Sequence, residues 1–148
     1  MRKSFRIGAG VAMLAALSNS PLAAQGTERS LYQRLGGYDA IAAVTDDFVP
    51  RLATDESLSR FFAGHGKDTL ARIRQLVVDQ ICWATGGPCL YIGRSMKQAH
   101  EGLGITTAQW DRAVSHLVAT LDKFRVPARE KDELLGIVGK LKADIVEK

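Results

Sequence analysis

The sequence predicts an all-α fold, on three observations. From Glu28 onward, apolar residues recur at steps of three and four, the spacing that gathers them on one face of a helix. No segment sustains the period-two alternation of a half-buried strand. Glycine pairs, Pro88 and Pro127 punctuate the chain between the periodic stretches, as helix stop and start signals do.

Taken in order, Leu31 and Leu35 suit a short first helix that Gly36-Gly37 would end. Asp39 to about Ala53 places Ile41, Val44, Phe48 and Leu52 on one face, with Pro50 inside the pattern; a proline there removes one backbone donor and bends the helix. Leu58, Phe61 and Phe62 fit a turn-like helix, and Ala63-Gly64-His65-Gly66 a loop. Leu70, Ile73, Val77, Ile81 and Ala84 form a second long stripe, stopped by Gly86-Gly87-Pro88. A short segment spans Met96 to Leu103. Thr106 or Thr107 caps a helix carrying Trp110, Val114, Leu117, Leu121 and Phe124. Pro127 opens the last helix, with Leu134, Val138, Leu141 and Ile145 as its stripe.

The length of 148 residues matches one domain of ~150 residues. Two cysteines are too few for a disulfide framework or a Cys-only zinc site. The net charge of +4 invites a nucleic-acid reading, which the N-terminus removes. Arg2, Lys3 and Arg6 precede an uncharged run, Ile7 to Leu17, of 11 residues, short of the ~20 that cross a bilayer. Leu22-Ala23-Ala24 then supplies a signal-peptidase site. Residues 1–24 are therefore expected to be a signal peptide, with residues 25–148 exported to the periplasm and no stable membrane anchor after cleavage. An uncleaved anchor is the alternative, and the shortness of the apolar run argues against it. Without the leader, 17 basic side chains face 16 acidic ones, and no basic patch interleaved with aromatics supports nucleic-acid binding.

Export makes a Cys82–Cys89 disulfide an expectation, because the Gly86-Gly87-Pro88 reversal between them can bring the two sulfurs together; two free buried thiols remain the alternative. Of the three histidines, His65, His100 and His116, His100 has the most suggestive neighbours. Met96, Ala99, His100 and Leu103 share one helical face, which makes His100 a candidate axial ligand for haem iron. The His clusters of zinc sites and the Cys-X-X-Cys-His motif of covalent haem attachment are both absent from the sequence.

Several segments occur in a fixed order: Leu31-Tyr32-Gln33-Arg34-Leu35-Gly36-Gly37, Asp46-Asp47-Phe48, Phe61-Phe62, Gly86-Gly87-Pro88, Tyr91 through His100, and Gly104-Ile105-Thr106. Together, over Ser30 to Val146, they resemble the group I truncated haemoglobins. The resemblance implies a two-over-two helical sandwich around a b-type haem, with His100 as the proximal ligand to the iron. It further implies that Phe62, Tyr91, Met96 and Ile105 line the haem pocket, and that Trp110, Val114 and Leu117 contact the haem edge. Helical spacing alone would call the last three core.

The distal side departs from that family. Where relatives often carry a tyrosine that hydrogen-bonds the gas, this chain has Val49; where they often carry a distal glutamine or other polar group, it has Ile73 and Val77. Phe48, Val49, Phe62, Ile73, Val77 and Ile81 are therefore expected to form a distal pocket without a hydrogen-bond donor. Gln80 could swing in as one. His65 reads first as a loop residue and second as a sixth iron ligand; His116 reads as structural. Arg72, Arg74 and Lys97 are candidates to pair with haem propionates or, equally, to face solvent.

The resemblance implies a haem protein that binds dioxygen, nitric oxide or carbon monoxide. An enzymatic version would oxidise nitric oxide and would need an unidentified reductase, since the chain carries no flavin or nicotinamide motif. The competing readings are an electron-transfer, redox or gas-sensing protein with six-coordinate iron, and a haem-free helical interaction domain.

Overall fold

The computed structural model describes residues 28–148, so the leader and its cleavage point lie outside the described residues. Every regular element among them is helical: α1 (Leu31–Arg34), α2 (Gly37–Thr54), a 3₁₀ turn (Ser59–Phe61), α3 (Lys67–Ala84), α4 (Met96–His100), α5 (Thr107–Lys123), α6 (Ala128–Gly139) and α7 (Lys142–Ile145).

The start of each element follows local chemistry. Ser30, Ser95 and Thr106 each build a capping box with a glutamine three residues on, at the heads of α1, α4 and α5. Each box satisfies amides that the first helical turn leaves free. Gly36-Gly37 behaves differently from expectation: α1 ends before it, but Gly37 already opens α2. Both glycines hold positive φ, 96° and 79°, so one tight left-handed step turns the chain from one helix into the next. The expected single last helix is divided. Past Gly139, Lys140 and Leu141 bond three residues back, to Ile137 and Val138, a 3₁₀-type tightening that ends α6 and restarts the chain as α7.

α2 packs against both α3 and α5. Leu31, Val44, Leu117, Leu121 and Leu134 form one buried cluster, while Ile41, Val78 and Cys82 form a second. Burial of each large aliphatic side chain contributes ~1.5–3 kcal/mol. The deepest face of α3 lies one residue on from the expected stripe: Val78 and Cys82 are fully buried, whereas Ile73, Val77 and Ile81 are half-buried. Sequence spacing located the apolar side of α3; its neighbours select which part of that side is sealed by protein.

Polar groups inside this frame are paired. Thr45 donates to the Ile41 carbonyl at 2.9 Å, and Thr120 to Asp47 at 3.1 Å. Arg34 joins α1 to α6 through Glu130, at 2.7 Å, and Glu133. Among the described residues, no buried side-chain nitrogen or oxygen lacks a partner.

Candidate functional site

His100 is the last residue of α4, a helix of five residues that cannot persist on its own propensity. The Ser95 capping box fixes its first turn. The imidazole is half-buried, and its Nδ1 lies 2.8 Å from the Met96 carbonyl oxygen. A carbonyl oxygen only accepts, so Nδ1–H is the donor, and in the neutral imidazole Nε2 then holds the lone pair. This is the state in which a histidine ligates a metal, with the second-shell carbonyl setting tautomer and ring orientation. The apolar face proposed for this segment is shorter than expected. Ala99 is exposed on α4 and Leu103 is exposed beyond it; Gly102, at φ 83°, turns the chain directly after the helix, so Leu103 does not continue its face.

The connection leading to α4 is held at defined points. Cys82 of α3 is bridged to Cys89, with Cα atoms 5.8 Å apart. Between them Gly87 passes so close that a Cβ would lie 2.7 Å from Cys82 Sγ and 2.5 Å from the Tyr32 ring. Only glycine fits there. Tyr91, half-buried, donates its hydroxyl hydrogen to the Arg94 carbonyl at 2.7 Å, and its ring covers Gly93. Burial raises the Tyr91 pKa, so the phenol stays neutral at physiological pH.

On the facing elements, Val49 of α2 is buried, and Phe48, Phe62, Ile73, Val77 and Ile81 are half-buried. Phe48 and Ile81 also pack on the larger core cluster. Asp46, Val49, Pro50, Ala53, Thr54, Leu70, Ala71 and Arg74 border an open groove of about 340 Å³ between α2 and α3; of these, only Val49 belongs to the expected distal set. Gln80 is half-buried. On α5 and before it, Trp110 and Val114 are half-buried, Ile105 is buried, and Leu117 belongs to the core proper at 3% exposure.

The charged candidates separate clearly. Arg74 is committed to Asp46, with Nε–Oδ1 2.7 Å and Nη2–Oδ2 2.9 Å; this pairing holds the Asp46 carboxyl below its usual range. Arg72 and Lys97 are exposed. His65 is exposed on its loop. His116 has a structural partner instead: its Nε2 lies 2.7 Å from Asp55 Oδ2. The same carboxylate accepts from Arg112 and from the Ser57 amide and hydroxyl, and these partners, His116 first, depress its pKa strongly. The ring thus staples α5 to the end of α2, which sequence spacing could not reveal across 61 positions.

These residues fit the haem that the family resemblance implies. Among the described residues no three His, Cys, Asp or Glu side chains converge on one point. A lone imidazole suits a metal whose other ligands arrive with it, as in a porphyrin. Among the half-buried residues of α2, α3 and α5, Phe48, Ile73, Val77, Trp110 and Val114 are apolar, the kind of side chain that lines a site for a buried macrocycle.

Comparison with known proteins agrees with this geometry. The family model for bacterial-like globins matches residues 30–147. The group 1 truncated hemoglobin GlbN of Mycolicibacterium paratuberculosis is 36% identical over 116 residues, covering 78% of this chain and 83% of that protein. Among solved structures, the 2/2 hemoglobin from Synechococcus sp. PCC 7002, in the cyanomet state with covalently attached heme, superposes with a TM-score of 0.73. It is 32% identical and covers 81% of this chain and all of that one. The truncated hemoglobin from Tetrahymena pyriformis, Fe(III) form, gives a TM-score of 0.74 at 25% identity, with 81% of this chain and 100% of that chain covered.

Proposed function

This chain belongs to the bacterial-like globins, among the group 1 truncated haemoglobins, and binds haem; from that premise we propose that it is an exported b-type haem protein that reversibly binds a diatomic gas. When bound, the haem iron supplies the coordination position at which such a gas attaches. The chain's own residues do the rest. His100 would hold the haem iron through Nε2. The observation that carries this role is the 2.8 Å bond from Nδ1 to the Met96 carbonyl, which fixes the tautomer and leaves one nitrogen for the metal.

Val49, Ile73 and Val77 give the opposite side its character. None of them can donate a hydrogen bond. Bound dioxygen draws negative charge and gains from a donor, while carbon monoxide gains much less. A pocket of this composition therefore favours fast dioxygen release and a high ratio of carbon monoxide to dioxygen affinity. Oxidation of nitric oxide would require a separate reductase to supply electrons.

The experiment is a spectrum of the haem-loaded chain and of two variants. The unmodified protein should give an intense Soret band and a five-coordinate ferrous spectrum. His100→Gly should lose haem unless free imidazole is supplied, and His116→Ala should keep the ferrous carbonyl spectrum. Haem loss in His116→Ala with retention in His100→Gly would reverse the assignment, and a six-coordinate ferrous spectrum would move the function to electron transfer or sensing. Export is tested separately, by an intact mass that begins at Gln25.

A further inference from the structure

His100 stands at the end of its helix, so its position depends on how the chain leaves α4. No residue of α4 is fully buried, and Glu101, Gly102 and Leu103 are exposed. Packing alone therefore does little to hold this exit. Gly102 and Gly104 both take positive φ, 83° and 63°, and their amides converge on one carboxylate from the far end of the chain. Gly102 N donates to Glu147 Oε1 at 2.6 Å, and Gly104 N to Glu147 Oε2 at 3.1 Å. Each carboxylate oxygen thus serves one amide. The backbone repeats the attachment: the Glu147 and Lys148 amides donate to the Ile105 carbonyl at 2.9 and 3.3 Å, and Thr107 N donates to the Lys148 carbonyl at 2.9 Å. α7, just before Glu147, packs on α4.

We propose that Glu147 is a positioning residue for His100: by bridging the Gly102 and Gly104 amides it fixes the exit of α4, and with it the direction in which Nε2 meets the iron. This rests on the reading of His100 as the axial ligand. The chemistry suits the task. Two amides aimed at one point form an anion-binding concavity, and a carboxylate fills it with two charge-assisted bonds. Either bond in isolation would let the loop pivot; two, on residues two apart, remove that freedom.

The test compares Glu147→Ala and Glu147→Gln with the parent as haem-loaded full-length chains. Two measurements are made on each: the iron–histidine stretching band of the ferrous unliganded form by resonance Raman, and the rate of haem transfer to an excess of a haem-scavenging apoglobin. Because the pair is solvent-exposed, its effect is discounted from that of a buried one. Glu147→Ala should release haem about five- to twentyfold faster and should shift or broaden the iron–histidine band. Glu147→Gln keeps one acceptor and should fall between. A band identical to the parent's in both variants would overturn the proposal, even if haem loss and unfolding of the haem-free chain accelerate, since Glu147 would then be only a staple of the C-terminal segment. His100→Gly, run alongside, separates this from failure of the premise: if the band persists without His100, the ligand is another residue and the proposal falls with it.

Discussion

Between Gly37 and Ala84 the chain forms two helices of 18 residues each; between Thr85 and Thr106 it forms one of five. The two regions carry opposite sides of the proposed haem site, and they are secured by different physics. α2 and α3 are long enough to bury continuous stripes, so Ile41, Val44, Val78 and Cys82 hold them by area removed from water. The short region cannot do this. It is held by individual bonds instead: the Cys82–Cys89 bridge, the Tyr91–Arg94 hydrogen bond, the Ser95 capping box and the Glu147 carboxylate. Burial is distributed, and a single substitution erodes it. Point restraints are local, and removing one frees a segment while leaving the helical frame standing.

The largest effect should come from the packed frame. Leu121, 1% exposed in the core cluster, should cost roughly 2–5 kcal/mol when cut to alanine, read from the urea midpoint. If the midpoint hardly moves, the core does not carry the frame.

Next comes the bridge. Serine at both Cys82 and Cys89 should destabilise by roughly 2–3 kcal/mol, the chain-entropy value for so short a loop. It should also speed haem loss more than an equally destabilising core variant does. Equal haem loss at matched stability would show that the bridge secures the whole fold rather than the connection to His100.

Val49→Tyr sharpens the contrast from the other side. A hydroxyl at this place would supply the donor that Val49, Ile73 and Val77 lack. Dioxygen dissociation measured by stopped flow should slow about tenfold, since a charge-assisted bond contributes ~1.5–3 kcal/mol. Slow release already in the unmodified protein would point to Gln80 or an ordered water as a donor.

The smallest effect concerns pH. Asp47 of α2 is bonded to Arg51, to Lys123 and Thr120 of α5, and its pKa is lowered to about 2, with Arg51 the first cause. A depressed carboxylate lends stability that is complete above the unfolded pKa near 4 and is lost as pH falls through the folded value. Asp47→Asn should therefore be less stable than the parent at pH 6, and the gap should close as pH approaches 2. A constant gap would mean that the ionised carboxylate contributes nothing.

What could be read in advance followed from local rules. The Thr106 cap, the Gly86-Gly87-Pro88 stop and the helix-breaking Gly36-Gly37 act over a few residues, so their signals lie beside the structure they cause. The contact between His100 and the Met96 carbonyl is local in the same way, spanning four positions. The ion pair of Arg74 is not. Its partner is Asp46, 28 residues distant, and nothing near Arg74 in the sequence indicates that carboxylate.

By itself, then, the sequence determined the helices, their order and the type of residue on each face, because helix formation and capping depend on neighbours three or four positions apart. Only the tertiary structure decided which apolar residues are sealed and which stay half-covered. Val78 rather than Val77 joins the buried cluster with Ile41, although the expected stripe ran through Val77, and Leu117 is sealed in the core while Trp110 and Val114 of the same stripe stay half-covered. It also decided the partners of isolated charges: Asp55 with His116, Arg34 with Glu130, and Glu147 with the glycine amides beyond His100. Those pairings span 61, 96 and 45 positions, and a charge carries no periodic signal of its destination. The helices had to pack before such groups could meet.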